Sequence, residues 1–170
     1  MRIFSRRGFG VLAVTTALLA VAAGGAVAAT TLRTGTTVAH TAVLTQDTAS
    51  THTGATYAQL GSLSITAGAG SSILVTFSAE SACYGATGWC TARVLVDGAE
   101  AIPAVGTDFA FDSTDINRET AESWESHSMQ RVATARSTGT HTVVLQVAQI
   151  GTMVTARYDD WTLTAMAIAP

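Results

Sequence analysis

The chain has 170 residues, of which 48% are hydrophobic, 12% are charged and 6% are aromatic. All nine of its basic residues are arginine, and three of these lie before residue 28, so the rest of the chain carries six arginines against twelve acids, a net charge of −6. Nucleic-acid binding depends on basic side chains that displace counterions, and anionic membranes attract basic segments. The charge therefore argues against nucleic acid as a partner, and against a membrane as a partner of the processed protein.

Residues 1–28 have the pattern of an export signal peptide: a short basic region, an uncharged stretch rich in Ala, Leu and Val, and an Ala-Val-Ala cleavage site at residues 26–28. Residues 5–9, Ser-Arg-Arg-Gly-Phe, resemble the twin-arginine export motif, although the usual Leu-Lys pair does not follow them, so general secretion stays open as the route. An uncleaved anchor is the alternative, because residues 8–29 carry no charge. We predict a secreted, extracellular protein that is cleaved before Ala29.

Cys83 and Cys90 are the only cysteines, and Gly85 and Gly88 lie between them. An oxidising compartment favours a disulfide, and closing a loop of eight residues contributes about 2.5 kcal/mol in the chain-entropy model. A metal or redox pair is the alternative, but such pairs have a tighter spacing, and no histidine is nearby. We predict a structural disulfide between Cys83 and Cys90.

The rest of the chain alternates between apolar and polar residues with a period of two, which is typical of β-strands. The clearest segments are residues 72–80, 91–97, 143–147 and 161–167, and weaker ones are residues 36–45, 57–66, 107–112, 129–135 and 153–157. Because no crossover helices separate them, the pattern predicts an all-β protein with an antiparallel two-sheet sandwich or a barrel. Residues 113–129 repeat every four residues, but their Thr, Ser and Asn content argues against more than a turn or two of helix.

The segment before this domain is rich in threonine, with eleven threonines in residues 30–56. Such a segment is either a flexible stalk or a pair of edge strands, and the run from Val38 to Leu44 favours at least one strand. The expected organisation is therefore a signal peptide at residues 1–28, a threonine-rich segment with an edge strand at residues 29–55, and a sandwich domain at residues 56–170.

Several strand and turn segments together resemble a group of uncharacterised secreted bacterial β-sandwich proteins. These segments are residues 77–80, the cysteine loop, and residues 93–98, 127–130, 139–143 and 159–164. The strand order of that group is similar to the jelly-roll heads of the tumour-necrosis-factor and complement globular type. The resemblance covers about residues 55–168 and implies a jelly-roll-like β-sandwich, but it transfers no site.

The sequence contains no motif for catalysis, for a metal or for a cofactor. It has neither a G-x-S-x-G elbow nor a closely spaced histidine pair, and its glycine-rich turn lacks a following lysine. Oxygen ligands for calcium are available at Asp112, Asp115, Asn117 and Glu119, although a solvated acidic loop explains the same residues. Asp159 and Asp160 point to opposite faces of a strand, so we expect one of them to pair with Arg157 or Arg93 rather than form a catalytic dyad.

The remaining candidate site is a ligand platform formed by Tyr84 and Trp89 on the cysteine loop, whereas Trp161 alternates with core positions and is expected to be buried. The leading functional hypothesis is a secreted, non-catalytic interaction or structural module, for which self-association through a sheet face, as in jelly-roll heads, is one mode of action. A module that binds extracellular carbohydrate is the second hypothesis. An enzyme whose residues come together from distant strands is the third.

Overall fold

A computed structural model describes residues 33–106, 108–115 and 117–170, and the predicted signal peptide lies outside these residues. The described chain forms two antiparallel sheets that pack against each other as a β-sandwich. Sheet A contains β1 (Thr37–Gln46), β2 (Ser50–Thr53), β4 (Ser72–Tyr84), β8 (Trp124–Thr134) and β10 (Thr155–Ala169). Sheet B contains β3 (Ala58–Ala67), β5 (Thr87–Val96), β6 (Ala99–Glu100), β7 (Asp112–Ser113) and β9 (Gly139–Thr152). The predicted fold class is confirmed.

The strand order is that of a jelly roll. Sheet A runs β1-β10-β4-β8, with β2 also paired to β10, and sheet B runs β3-β9-β5-β6, with β7 also paired to β5. Early strands thus pair with late ones, β1 with β10, β3 with β9 and β4 with β8, as in a long hairpin wrapped into two sheets. Residues far apart in sequence therefore become neighbours, and most side-chain contacts of interest join distant segments.

The core lies between the two sheets and follows the predicted alternation. In β4 the inward residues Ile73, Val75 and Phe77 are fully buried, and the residues between them are half-buried on the outer face. Strands β9 and β10 contribute the inward residues of the same core, including Leu145 and Leu163. Trp161 is 4% exposed, so its predicted burial is confirmed. Each large aliphatic side chain buried in this way contributes about 1.5–3 kcal/mol relative to an exposed one.

Some element boundaries differ from the sequence predictions. Of the strand expected over residues 107–112, only Asp112–Ser113 pairs with β5, and Thr107 is outside the described residues. Strand β8 begins at Trp124, five residues before the predicted start, because Trp124 to Met129 continue the pairing with β4. Its inward residues include the polar His127 and Arg131, so the sequence of β8 does not alternate between apolar and polar residues. In the possible helical region the described residues contain only one short 3₁₀ turn, Ala121–Ser123.

The predicted disulfide between Cys83 and Cys90 is present, with a Cα–Cα distance of 5.9 Å. Cys83 belongs to β4 in sheet A and Cys90 to β5 in sheet B, so the bridge connects the two sheets across the core. Both cysteines are 1% exposed. The segment between them is mostly strand rather than loop, because β4 extends to Tyr84 and β5 begins at Thr87.

Two glycines allow β5 and β9 to approach closely beside this bridge. Gly88 and Gly151 are directly paired and have φ values of 143° and 125°. A Cβ atom at Gly88 would overlap the carbonyl oxygen of Ile150, and one at Gly151 would overlap that of Thr87. The close approach fixes the backbone immediately before Trp89.

Candidate functional site

The outer face of sheet B carries the first group of candidate functional side chains. Because side chains alternate along a strand, Cys90, Ala92 and Val94 of β5 enter the core, whereas Trp89 and Arg93 point outwards. In β9, Gln146 is directly paired with Arg93 and lies on the same outer face. The period of two thus places an aromatic ring, a guanidinium and an amide on one side of the sheet.

Tyr57, just before β3, lies over this face. The centre of its ring is 3.9 Å from Arg93 Cζ, and its hydroxyl is 3.5 Å from Thr91 Oγ1. Arg93 Nε donates a hydrogen bond of 2.8 Å to Gln146 Oε1. Thr91 and Ala148 are almost completely buried although they are on the outer face. The guanidinium is therefore held in one position between the tyrosine ring and the glutamine, and it has no ion-pair partner among the described residues.

Trp89 lies four residues before Arg93 on the same strand, about 13 Å away at the usual rise per residue. It is half-buried, paired with Ile150 of β9 and Ser113 of β7. Its indole Nε1 is buried and has no hydrogen-bonding partner in the part of the chain that the structure describes. We call Tyr57, Trp89, Arg93 and Gln146 the aromatic–arginine face.

Tyr84 does not belong to this face. It lies in sheet A, paired with Thr155, whereas Trp89 lies in sheet B. Cys83 and Cys90 point towards each other to form the bridge, so the residues next to them, Tyr84 and Trp89, point away from the core on opposite sides of the sandwich. The predicted platform is not brought together as a pair. Tyr57, Arg93 and Gln146, which the sequence analysis missed, replace Tyr84 beside Trp89.

A second polar site lies between β7 of sheet B and β8 of sheet A. It is a cleft of about 400 Å³ whose lining includes Asp112, Asp115, Glu125 and His127. Behind it, Ser81 Oγ donates a 2.8 Å hydrogen bond to Asp112 Oδ2 and lies 3.1 Å from His127 Nδ1. Burial raises the pKa of the Asp112 carboxyl, against the opposing effect of the Ser81 hydrogen bond.

The serine, histidine and carboxylates of this cleft do not form a nucleophilic triad. Ser81 is 1% exposed, and its single proton is directed at Asp112, so His127 Nδ1 donates to Ser81 instead of accepting its proton. A catalytic serine must be exposed to substrate and must pass its proton to the histidine. The cluster therefore connects β4, β7 and β8 through hydrogen bonds. In a serine hydrolase the serine would instead donate its proton to the histidine.

Two of the four oxygen ligands considered for calcium, Asp112 and Glu119, make other contacts in the structure. Asp112 is bonded to Ser81, and Glu119 forms a two-oxygen ion pair with Arg157 at 2.8 and 2.9 Å. Among the described residues, no three His, Cys, Asp or Glu side chains are placed to hold a metal ion together. Asp112 and Glu119 of the acidic segment thus contact other parts of the chain.

The prediction that Asp159 or Asp160 pairs with an arginine is wrong. Arg157 pairs with Glu119, Arg93 contacts Gln146, and Asp159 Oδ1 accepts a hydrogen bond from the backbone N–H of Asp160. The register between β10 and β4 shifts between Asp159, which is paired with Glu80, and Thr162, and Asp160 has a φ of 44°. Asp160 and Trp161 form a bulge in the strand, and both arginines have other partners.

Within the described residues, the structure contains no helix that is long and apolar enough to span a membrane. No protein-family model matches the chain, and no curated protein sequence matches it.

Proposed function

We propose that this chain is an exported, non-catalytic β-sandwich interaction module that holds its ligand on the aromatic–arginine face. The observation that carries the proposal is the fixed Arg93 guanidinium between Tyr57 and Gln146, on the same face as the half-buried Trp89. Trp, Tyr and Arg are the residue types that contribute most to binding at protein interfaces. A preformed arrangement of the three reduces the conformational entropy lost on binding.

Export is supported by two features of different origin. The first is the signal-peptide pattern of residues 1–28. The second is the disulfide between Cys83 and Cys90, a bond that persists in oxidising compartments and is rare in reducing ones. A protein outside the cell meets polysaccharides, glycoproteins and surface proteins, and these define the ligands to be tested.

A carbohydrate is the ligand class that this face favours over the others. Aromatic rings provide flat surfaces for sugar rings, while Arg93 and Gln146 offer hydrogen-bond donors and an acceptor to hydroxyl groups. The absence of lysine and the net charge of −6 outside the leader disfavour polyanions such as nucleic acid. We therefore propose a neutral glycan as the first ligand to test.

The test is a glycan array probed with the purified chain and with two single variants, Trp89→Ala and Tyr84→Ala. We expect glycan binding by the wild type, a loss of at least about tenfold in affinity for Trp89→Ala, which corresponds to about 1.4 kcal/mol, and no change for Tyr84→Ala. Tyr84 is the matched control because it is an aromatic residue on the opposite sheet. Equal loss in both variants, or no glycan bound by the wild type, would contradict the carbohydrate proposal.

A further inference from the structure

One lateral side of the sandwich ends in two strands without formal charge. Strand β1 lies at the edge of sheet A, with the short uncharged β2 continuing that edge along β10, and β3 is the last strand of sheet B. Strands β1 and β3 pack against each other. Their twenty residues contain no Asp, Glu, Lys or Arg. We call the free side of β1 and β3 the uncharged edge.

The opposite lateral side of the sandwich is built differently. There, the chain after β6 crosses the edge of β8, and Ile102 and Val132 exchange two backbone hydrogen bonds of 2.9 and 2.8 Å. Farther along, β7 pairs with β5, and Asp112, Asp115 and Glu125 line the acidic cleft in this region. This side is therefore covered by the chain itself and carries the acidic cleft.

Strand β1 lacks most of the features that prevent edge strands from pairing with other proteins. Monomeric sheets protect their edges with charged side chains, proline, bulges or covering segments. β1 has a bulge between Val38 and His40, but from His40 to Gln46 it pairs with β10 in unbroken register. On its other side, alternate backbone N–H and C=O groups of these residues have no strand partner among the described residues.

Apolar side chains also remain exposed on β1. Val38 and Val43 are 55% and 58% exposed, whereas Ala42 and Leu44 of the same strand pack towards the core. Val43 is paired with Thr164 and Val38 with Ile168, both on the outer face of sheet A. Only one other large hydrophobic residue of the described chain, Met153, is similarly exposed, and it lies in the turn between β9 and β10.

We propose that the uncharged edge is the interface with a second copy of this chain, in which β1 pairs antiparallel with β1 of the second copy about a two-fold axis. Residues 33–170 carry six arginines and twelve acids, so two copies repel each other along most surfaces. The uncharged edge is where that repulsion is weakest, and it offers no charge with which an oppositely charged partner could pair.

The size of the edge is sufficient for a dimer. Ten residues of strand extend about 34 Å, and two stacked sheets with their side chains span about 15 Å, so each copy contributes on the order of 500 Å². The total of about 1,000 Å² lies at the lower limit for a specific interface. Antiparallel pairing of identical strands also satisfies the free backbone groups of both copies with the same contacts.

The test is sedimentation velocity of the purified chain over a range of concentrations, with the double variant Val38→Glu/Val43→Glu and the control Met153→Glu. We expect a reversible dimer for the wild type and the control, and a dissociation constant at least about tenfold higher for the double variant, because like charges then face each other across the two-fold axis. Both valines are exposed, so circular dichroism and thermal melting should show that the double variant is folded.

Hydrogen–deuterium exchange locates the interface independently of the variants. We expect the amides of residues 37–46 to exchange faster when the wild type is diluted, while those of β9 do not change. A wild type that is monomeric at all concentrations, or a dimer that persists in the double variant, would overturn the proposal. The proposal does not depend on the aromatic–arginine face, since Trp89→Ala should leave dimerisation unchanged and Val38→Glu/Val43→Glu should leave glycan binding to each copy unchanged.

Discussion

His141 Nδ1 lies 2.6 Å from Asp97 Oδ2, across the junction between the first residues of β9 and the turn that ends β5. The other ring nitrogen, Nε2, lies 3.0 Å from the backbone carbonyl oxygen of Ser137. His141 is 2% exposed, and Asp97 Oδ1 also accepts a hydrogen bond from the backbone N–H of Thr142. Both ring nitrogens therefore face hydrogen-bond acceptors, one a carboxylate oxygen and the other a backbone carbonyl oxygen.

The first prediction concerns this contact. Replacing Asp97 by Asn keeps an acceptor for Thr142 but removes the charge opposite His141. Because the Asp97 side chain is half-exposed and solvent screens its charge, we expect a loss of about 1 kcal/mol in the free energy of unfolding at neutral pH. For a domain of this size, 1 kcal/mol corresponds to about 3 °C in melting temperature. Asp108→Asn removes an exposed carboxylate elsewhere and is the control. Equal melting temperatures for Asp97→Asn and the wild type would show that the contact contributes nothing.

The pH dependence of this contact follows from the direction in which folding shifts the pKa of Asp97. The hydrogen bond to His141 lowers the pKa of Asp97 in the folded protein. The contribution is therefore fully present above the pKa of the unfolded chain, about 3.9, and is lost as pH falls through the lower pKa of the folded protein. We expect the difference in stability between the wild type and Asp97→Asn to shrink in strong acid, as measured by denaturant unfolding at several pH values.

The second prediction concerns Asp112, whose pKa is shifted in the opposite direction to that of Asp97. Burial raises its pKa, so the folded protein binds more protons than the unfolded chain between pH 3.9 and the raised value, taking about 3.9 for the unfolded carboxyl. Stability contributed by the protonated form is lost as pH rises through that window. We expect Asp112→Asn, which can still accept from Ser81, to be more stable than the wild type at neutral pH and to lose less stability between acidic and neutral pH.

Asp115→Asn is the matched control for this prediction, because Asp115 lines the same cleft but is exposed. The measurement is the melting temperature of the three proteins from acidic to neutral pH. If Asp112→Asn is less stable than the wild type at neutral pH, the ionised carboxylate contributes more through Ser81 and His127 than its burial costs.

The sequence was sufficient to predict the strands whose inward residues are all apolar. In β4 and β9 the core side is continuous from Ile73 to Phe77 and from Val143 to Val147, so the period of two is visible without any neighbour. The disulfide was equally accessible, because two cysteines allow only one pairing. These features depend on local order along the chain.

The contacts that define the sites depend instead on how the strands wrap around each other. Asp97 and His141 are 44 residues apart, and Ser81 is 31 residues from Asp112 and 46 from His127. Tyr57 reaches Arg93 only because β3 and β5 both pair with β9. Alternation shows which side of a strand a residue is on, but it does not show which strand lies beside it.

The third prediction concerns the hydroxyl of Tyr158, which is fully buried among Phe77, Phe111 and His52 and has no hydrogen-bonding partner in the described chain. An unsatisfied buried polar group costs about 1–3 kcal/mol. We expect Tyr158→Phe to raise the melting temperature by about 3 °C or more. Tyr57→Phe, which removes a hydroxyl near Thr91, should give no such increase. A lower melting temperature for Tyr158→Phe would mean that the hydroxyl is bonded, for example to an ordered water.

The fourth prediction concerns the bridge between the sheets. Cys83→Ser opens a loop of eight residues and leaves β4 and β5 connected only through Gly85 and Ala86, so the unfolded chain gains conformational freedom. We expect the free energy of unfolding to fall by about 2.5 kcal/mol and the melting temperature by several degrees in oxidising buffer. Adding reductant to the wild type should reproduce most of this decrease, whereas Cys83→Ser should not respond to reductant. Identical melting temperatures of the wild type with and without reductant would show that the bridge does not stabilise the sandwich.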